Sequence, residues 1–268
     1  MSDGFSADWL ALREPYDAAA RSAALLERLA VWRHGRGVFR VIDLGAGTGS
    51  NLRHTASTLG GDQDWALAEL DPTLMAAGQA RLARSPVDWR YHQIDLARDL
   101  ERLGTLPVDL ITASALIDLV GEAWLRRLAA LRAAANAALH IVLTYDGRIE
   151  WQPKLAGDEA MLAAINRHQR GDKGFGPALG PDAAATLRAL LVRERGKLLV
   201  DPSDWLLGED DREIQLALLD GYTTAAIAVS AERCQEIEAW TVRRRQLIGE
   251  GRSHLRVGHL DLLFLPER

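Results

Sequence analysis

Between residues 38 and 144, short apolar runs alternate along the chain with alanine-rich helical segments. Most of these runs are continuously apolar, a pattern typical of strands that are covered on both faces of a sheet. Strands separated by helices in this order predict a parallel sheet with helices on both sides. The five predicted strands are VFRVIDL, WALAEL, VDWRYHQI, VDLITA and AALHIVLT.

The second half of the chain adds two strands and two insertions. KLLV predicts a sixth strand, and HLRVGHLDLLFLP predicts a seventh, which we expect to be antiparallel. Residues 146–180 and 203–252 predict mostly helical insertions after the fifth and sixth strands. Because neither a linker nor an internal repeat is visible, we predict one α/β domain over residues 1–268, with residues 1–37 forming an N-terminal helical segment.

Composition narrows the class of protein. The net charge is −5 and the arginines are spread along the chain, which argues against nucleic acid as the main partner and favours a small molecule. Cys234 is the only cysteine, which excludes an intramolecular disulfide and a cysteine-based zinc site, and the scattered histidines form no metal triad. No run approaches the roughly 20 apolar residues of a membrane helix, and we expect a cytoplasmic protein.

A glycine-rich turn, VIDLGAGTGSN, lies where the first predicted strand meets its helix. Gly45, Gly47 and Gly49 let the backbone turn sharply and approach a ligand, while the helix start offers free N–H groups. A dinucleotide fingerprint would need a glycine at position 50, which is Ser50 here. The turn therefore favours a nucleoside ligand over a pyrophosphate, with a simple tight turn as the alternative.

An acidic residue, Glu69, ends the second predicted strand, twenty positions after Gly49. A carboxylate at this edge of the sheet can accept hydrogen bonds from both hydroxyls of a ribose. Asp71 precedes Pro72 and is expected to cap the next helix. Glu69 is then left free for a ligand.

Together these residues resemble the class I S-adenosylmethionine (SAM) dependent methyltransferases, over the segment from Val38 to Thr144. The resemblance implies that SAM is the cofactor, that the glycine turn packs against its methionine part and that Glu69 holds its ribose. It also implies that Asp43 orients the turn and that Asp95 accepts a hydrogen bond from adenine, between Leu70 and Leu96.

The segment before the first strand, FSADWLALREPYDAAARSAALLERL, predicts an amphipathic helix. In similar methyltransferases such a helix covers the cofactor pocket, and Arg13, Tyr16 and Arg21 are the residues that could reach the methionine carboxylate. Solvated arginines on a surface helix are the alternative. The complete predicted cofactor site is Asp43, Gly45, Ala46, Gly47, Glu69, Leu70, Asp95, Leu96, Ser114 and Arg21.

Reacting groups in an open α/β sheet lie at the carboxyl ends of the strands. This rule singles out Ser114 and Asp118 after the fourth strand, and Tyr145 and Asp146 after the fifth. Methyl transfer is an in-line displacement that needs an aligned nucleophile and, where it carries a proton, a base. The Asp/Asn-Pro-Pro-aromatic clamp of adenine and amide N-methyltransferases is absent from TASALIDL, which argues against those substrates.

The loop NRHQRGDKGFG leaves the carboxyl end of the fifth strand and concentrates ionisable side chains beside glycines. His168 is the first choice for a general base, because the ordinary pKa of histidine lies nearest neutrality. Asp118, Tyr145 and Asp146 are the alternatives, and a solvated charged loop is the competing interpretation. The predicted substrate-binding residues are Arg170, Lys173, Phe175 and Trp205.

The sequence thus favours methyl transfer from SAM to a small or medium-sized molecule. An RNA or protein methyltransferase and a SAM-binding protein without methyl transfer remain alternatives. A nicotinamide enzyme is disfavoured by Ser50.

Overall fold

The computed structural model describes residues 5 to 267, so residues 1 to 4 and 268 of the predicted domain lie outside the described part. Within it the strands are β1 (Phe39–Leu44), β2 (Gln63–Glu69), β3 (Asp88–Gln93), β4 (Leu110–Ser114), β5 (Ala138–Gln152), β6 (Gly196–Pro202), β7 (Trp205–Leu207) and β8 (His254–Pro266). The α-helices are α1 (Ala7–Ala20), α2 (Ala23–Arg33), α3 (Ser50–Leu59), α4 (Pro72–Leu82), α5 (Leu96–Asp99), α6 (Glu122–Ala135), α7 (Asp158–Gln169), α8 (Ala183–Leu191), α9 (Arg212–Val229) and α10 (Cys234–Gly249). Short 3-10 helices cover Leu100–Thr105, Ile117–Leu119, Gly180–Asp182 and Ala231–Arg233.

The strands form one sheet in the order β3-β2-β1-β4-β5-β8-β6, with β7 also paired to β8. Strands β1 to β5 are parallel to one another, whereas β8 runs antiparallel to β5, β6 and β7. The mostly parallel sheet and the antiparallel last strand are confirmed. The described residues hold eight strands where seven were predicted, because Trp205–Leu207 adds β7 beside the first half of β8.

Helices cover both faces of the sheet, as the continuously apolar strands predict. On one face, Ile42 and Leu44 of β1 belong to a buried cluster with Leu128 of α6. On the other face, Val41 of the same strand belongs to a cluster with Leu52 of α3. Because alternate side chains of one strand are buried on opposite sides, β1 lies at the centre of the molecule.

Strand β5 is much longer than predicted. Residues 146–152, expected to begin the first insertion, continue the strand and pair with β8, for example Ile149 with Val257 and Trp151 with Leu255. Two irregularities in the register interrupt this pairing, between residues 141 and 144 and between 145 and 149. The insertion's helix, α7, therefore begins further along the chain than the end of the predicted strand suggested.

Helices α7, α9 and α10 form a separate buried cluster with the extended part of β5. Ile165, Leu219 and Trp240 are buried members from the three helices. The cluster therefore packs both insertions against the second half of β5.

Within residues 5 to 267, no single helix is long and apolar enough to cross a membrane, and α9 with Ala231–Gly249 passes that test only as a pair, across a bend of 119°.

Candidate active site

The glycine turn after β1 is packed too tightly for side chains. Gly45, Gly47 and Gly49 have φ values of 64°, 52° and 78°, a region that favours glycine. A Cβ added to Gly47 would lie 3.1 Å from Leu10 of α1, and one added to Gly49 would lie 2.6 Å from Leu82 of α4. Helix α1 therefore packs against the turn.

The carboxylate of Glu69 closes this turn from the end of β2. It accepts hydrogen bonds from the backbone N–H groups of Gly47 and Leu70, both at 2.8 Å, and of Asp71 at 3.0 Å. Asp71 caps α4 through the Thr73 N–H, as predicted. Glu69 is nevertheless not free, and the expectation that it would be is wrong. A carboxylate has about four acceptor positions, so one remains for a ribose hydroxyl.

A buried network of polar side chains lies below the turn. Arg21, between α1 and α2, donates to Asn51 Oδ1 at 2.7 Å and to Ser114 Oγ at 3.1 Å. The Asn51 amide donates in turn to Asp43 Oδ1 at 2.8 Å and to Thr112 Oγ1 at 3.0 Å. Asn51 thus joins the N-terminal helices to the carboxyl ends of β1 and β4.

Asp43 is only 1% exposed, and its Oδ2 has no hydrogen-bond partner within the described part of the chain. Burial raises the pKa of Asp43 from 3.8 to about 7, although the Asn51 hydrogen bond and the charge of Arg21 oppose the rise. A buried oxygen without a partner beside a glycine cradle is what a bound polar group, such as an amine or a water, would satisfy. This pair of features fits the methionine part of SAM.

The adenine end of the predicted cofactor site lies at the ends of β2 and β3. Asp95 caps α5 through the Ala97 N–H, and its second oxygen lies 3.5 Å from Arg98. Leu96 is buried, whereas the side chain of Leu70 is 54% exposed. An exposed leucine beside an acid at the sheet edge provides an apolar surface for a planar base.

A pocket of about 480 Å³ opens at the carboxyl end of β4 and the middle of β5, and is also lined by α1, α7 and α9. Its size lies in the usual range for small-molecule sites. Its wall is largely apolar and aromatic, with a few ionisable groups. The lining residues include Trp9, Arg13, Asp118, Leu119, Leu143, Tyr145, Ile165, His168, Lys173, Trp205, Leu218, Tyr222, Val257 and His259.

Irregular backbone shapes the floor of this pocket. Ala115 and Leu143, at φ values of 51° and 56°, are among the few non-glycine residues with positive φ, and both line the pocket. Leu143 lies in the irregular stretch of β5, where its N–H donates to the buried Asp261 at 2.7 Å. Strained residues and bulges cluster where a side chain or a ligand must be placed, and these two residues mark the pocket floor as such a place.

The ionisable groups of the pocket differ in their hydrogen-bond partners and in the direction of their pKa shifts. Asp118 is 8% exposed, its Oδ1 has no partner among residues 5 to 267, and burial raises its pKa from 3.8 to about 6. Lys173 Nζ lies 3.2 Å from His168 Nδ1, and burial lowers the pKa of both groups. The Lys173 ammonium has no lone pair, so His168 Nδ1 accepts and the proton of the neutral ring lies on Nε2. With Nδ1 occupied in this way, His168 is a poor candidate for a general base.

Comparison with known proteins identifies similar folds. No protein-family model and no curated protein matches the sequence. The cyclopropane synthase MmaA2 from Mycobacterium tuberculosis has 16% sequence identity and a TM-score of 0.52, with 97% of this chain and 94% of that chain covered. The chain has the class I SAM-dependent methyltransferase fold.

Two further methyltransferase structures are similar at lower scores. One is a SAM-dependent methyltransferase from Geobacter sulfurreducens with S-adenosylhomocysteine (SAH), at 13% identity and a TM-score of 0.45, with 100% of both chains covered. The other, from Thiobacillus denitrificans and also with SAH, has 15% identity and a TM-score of 0.44, with 97% of this chain and 98% of that chain covered.

Three predicted residues of this methyltransferase fold do not line the pocket. The carboxylate of Asp146 accepts from Arg148 Nε at 2.7 Å, and Arg170 pairs with Asp182 at 2.9 Å. Phe175 packs edge-on against Trp124, away from the ligand space. By contrast, Asp118, Tyr145, His168, Lys173 and Trp205 come together around one pocket.

Several pocket residues were not assigned to the site by the sequence. Trp9, Tyr222 and His259 were not singled out from the sequence. His259 lies 5.3 Å from the Trp205 ring, and burial lowers its pKa to about 3. Aromatic spacing within α1 would have been the only local indication for Trp9. Within the described residues, no group of three or more potential metal ligands is present.

Proposed function

We propose that this protein is a SAM-dependent methyltransferase whose acceptor is a small or medium-sized molecule. The observation that carries the proposal is the adjacency of two sites. A Cβ added to Gly45 would lie 3.4 Å from Leu116 Cδ1, so Leu116 contacts the glycine turn. Two residues further along the chain, Asp118 lines the 480 Å³ pocket. A methyl donor on the glycine turn and an acceptor in the pocket would meet at this loop.

The chain's own residues divide the work of holding SAM. Glu69 would bond the ribose with its remaining acceptor position, and Asp95 with Leu70 and Leu96 would hold the adenine. Asp43, through its unpartnered oxygen, would orient the methionine end. SAM supplies an electrophilic methyl group, so what the protein adds is alignment, exclusion of water and removal of a proton.

Among the candidate bases, Asp118 is the one best suited to remove the proton of the acceptor's nucleophile. His168, the first choice from the sequence, has its Nδ1 occupied by Lys173, and its other nitrogen donates. The Tyr145 hydroxyl donates a hydrogen bond to Asn166 Oδ1 at 2.8 Å, and burial raises the pKa of Tyr145 far above neutrality. Asp118 alone among the predicted candidates combines a place in the pocket with an unpartnered carboxylate oxygen and a pKa near 6.

The contacts of helix α1 along one side of the pocket support a small acceptor over RNA or a protein chain. Helix α1 closes one side through Tyr16, which donates to Asp211 at 3.1 Å, and through Asp17, which accepts from Trp205 at 3.2 Å. These contacts join α1 to the second insertion. A long polymer would need this side open.

Calorimetric titration with SAM, SAH and NADH tests the cofactor assignment. We expect one SAM or SAH per chain and no binding of NADH. Binding of NADH without SAH would overturn the proposal. SAH binding in a protein that never transfers a methyl group to any pocket ligand would favour a SAM-binding protein without methyl transfer.

A further inference from the structure

Two oppositely charged groups of the acceptor pocket, Asp118 and Lys173, are near enough to stabilise each other's charge but form no direct ion pair. Asp118 Oδ1 is buried and has no hydrogen-bond partner within residues 5 to 267. Lys173, half-buried in the pocket wall, contacts His168 Nδ1 and forms no ion pair with any described carboxylate. A buried polar group without a partner costs free energy, which a complementary ligand can recover.

Arg13, the second cation that lines the pocket, already has a carboxylate partner within the protein. Arg13 donates to both oxygens of Asp17, at 2.9 and 3.1 Å. Its guanidinium also lies over the Trp205 ring, 5.1 Å from the centroid, and 5.9 Å from that of Trp9. Arg13 therefore works as part of the aromatic wall, and Lys173 is the cation available to a ligand.

The two available groups reach the pocket from different elements. Asp118 follows β4 and lies two residues from Leu116, which contacts the glycine turn. Lys173 lies on the loop that follows α7, in the first insertion. The wall of the same pocket also contains Trp9, Trp205 and Tyr222.

We propose that the acceptor is a hydroxylated aromatic carboxylic acid, an assignment that rests on the proposed methyltransferase function. Its hydroxyl donates to Asp118, its carboxylate pairs with Lys173, and its ring lies among Trp9, Trp205 and Tyr222. When the methyl group is transferred, the hydroxyl proton passes to the Asp118 carboxylate and the oxygen bonds the methyl carbon. The electron pair of the broken carbon–sulfur bond stays on sulfur.

Charge counting supports an acidic acceptor over an amine. The sulfonium and Lys173 are positive, and Asp118 and the acceptor carboxylate are negative, so the assembled site is neutral. After transfer, Lys173 still pairs with the carboxylate while SAH and the protonated Asp118 are neutral. An ammonium acceptor would instead place three positive charges against one carboxylate in a poorly solvated pocket.

Two phenols of nearly equal length test this assignment, because phloretate ends in a carboxylate and tyramine ends in an ammonium. We expect calorimetry on the SAH complex to show phloretate binding about 10-fold or more tighter than tyramine and than the phloretate methyl ester. Equal affinities for acid and amine, or no binding of the acid, overturn the assignment. SAH binding is measured first, so failure of the proposed function shows itself separately as loss of that binding.

Two variants test the individual contacts. Lys173→Met should weaken the binding of phloretate by about 10-fold and leave the affinities for the methyl ester and SAH unchanged. Lys197→Met, at an exposed position of β6, is the control and should change none of these three affinities. Asp118→Asn should bind phloretate within about threefold of wild type, since an amide still accepts the hydroxyl, and should lose methyl transfer by about 100-fold or more. Selectivity for the acid that survives Lys173→Met contradicts the proposal.

Discussion

The guanidinium of Arg21 donates a 2.7 Å hydrogen bond to the side-chain oxygen of Asn51, and both side chains are buried. This contact joins the junction of α1 and α2 to the first turn of the helix that follows the glycine turn. Because Asn51 also donates to Asp43 and Thr112, one amide holds three polar side chains below the glycine turn in place. The N-terminal helices are thereby part of the cofactor site's support.

Replacing Asn51 by alanine should destabilise the fold. Asn51→Ala leaves Arg21 and Asp43 buried without their partner, and we expect a loss of roughly 2 to 4 kcal/mol in the free energy of unfolding. Urea denaturation measures the change. Thr58→Ala, on the exposed side of the same helix, is the matched control and should stay within about 0.5 kcal/mol of wild type. Equal stability of the two variants would show that the network contributes nothing.

Glu69 should contribute to both the cofactor and the turn. Glu69→Ala removes the proposed ribose bond and the three backbone hydrogen bonds, so SAH affinity should fall by about 10- to 100-fold, equivalent to roughly 1.5 to 3 kcal/mol. Calorimetry gives the affinity, and circular dichroism checks that the variant is folded. The exposed Asp64→Asn on the same strand should bind like wild type. Unchanged affinity in a folded Glu69→Ala protein refutes the ribose assignment.

The three buried clusters should unfold together if the chain is one domain, as the sequence predicts. Heating should then give a single transition, which SAH at 100 times its Kd shifts by about 2.7 kcal/mol. For a chain of this size that corresponds to roughly 5 to 10 °C. Scanning calorimetry checks both points. Two transitions, with only one moved by SAH, would mean that the insertions fold separately from the sheet.

Local chemistry made much of the fold predictable. The Asp71-Pro72 helix start, the glycine turn and the continuously apolar strands each depend on a few neighbouring residues. The extension of β5 was missed, although Ile149 and Trp151 alternate with polar neighbours, because its pairing partner in β8 lies about a hundred residues away. A strand of three residues such as β7 has no local pattern to detect.

The predictability of the candidate site also depends on how local its residues are in the sequence. The cofactor residues follow consecutive strand ends and could be assigned from a short motif, whereas the pocket is assembled from distant segments of the chain. Tyr145 and Asp146 show the limit clearly: neighbours on a strand point to opposite faces, so one lines the pocket and the other pairs with Arg148. Only the register decides which, and the irregularity in β5 hides it from the sequence.

The buried carboxyl of Asp43 should make the stability of the protein depend on pH. Burial raises its folded-state pKa to about 7, against an ordinary value of 3.8. Between these values the folded state holds more protons than the unfolded state, so the free energy of unfolding falls as pH rises through this window and levels off above pH 7. Asp43→Asn cannot titrate, and relative to wild type it should gain roughly 2 kcal/mol between pH 5 and pH 8. Urea denaturation of both proteins at the two pH values measures this difference, and the exposed Asp64→Asn should show none. If the stabilities of wild type and Asp43→Asn change in parallel, the folded-state pKa of Asp43 does not lie between pH 5 and pH 8.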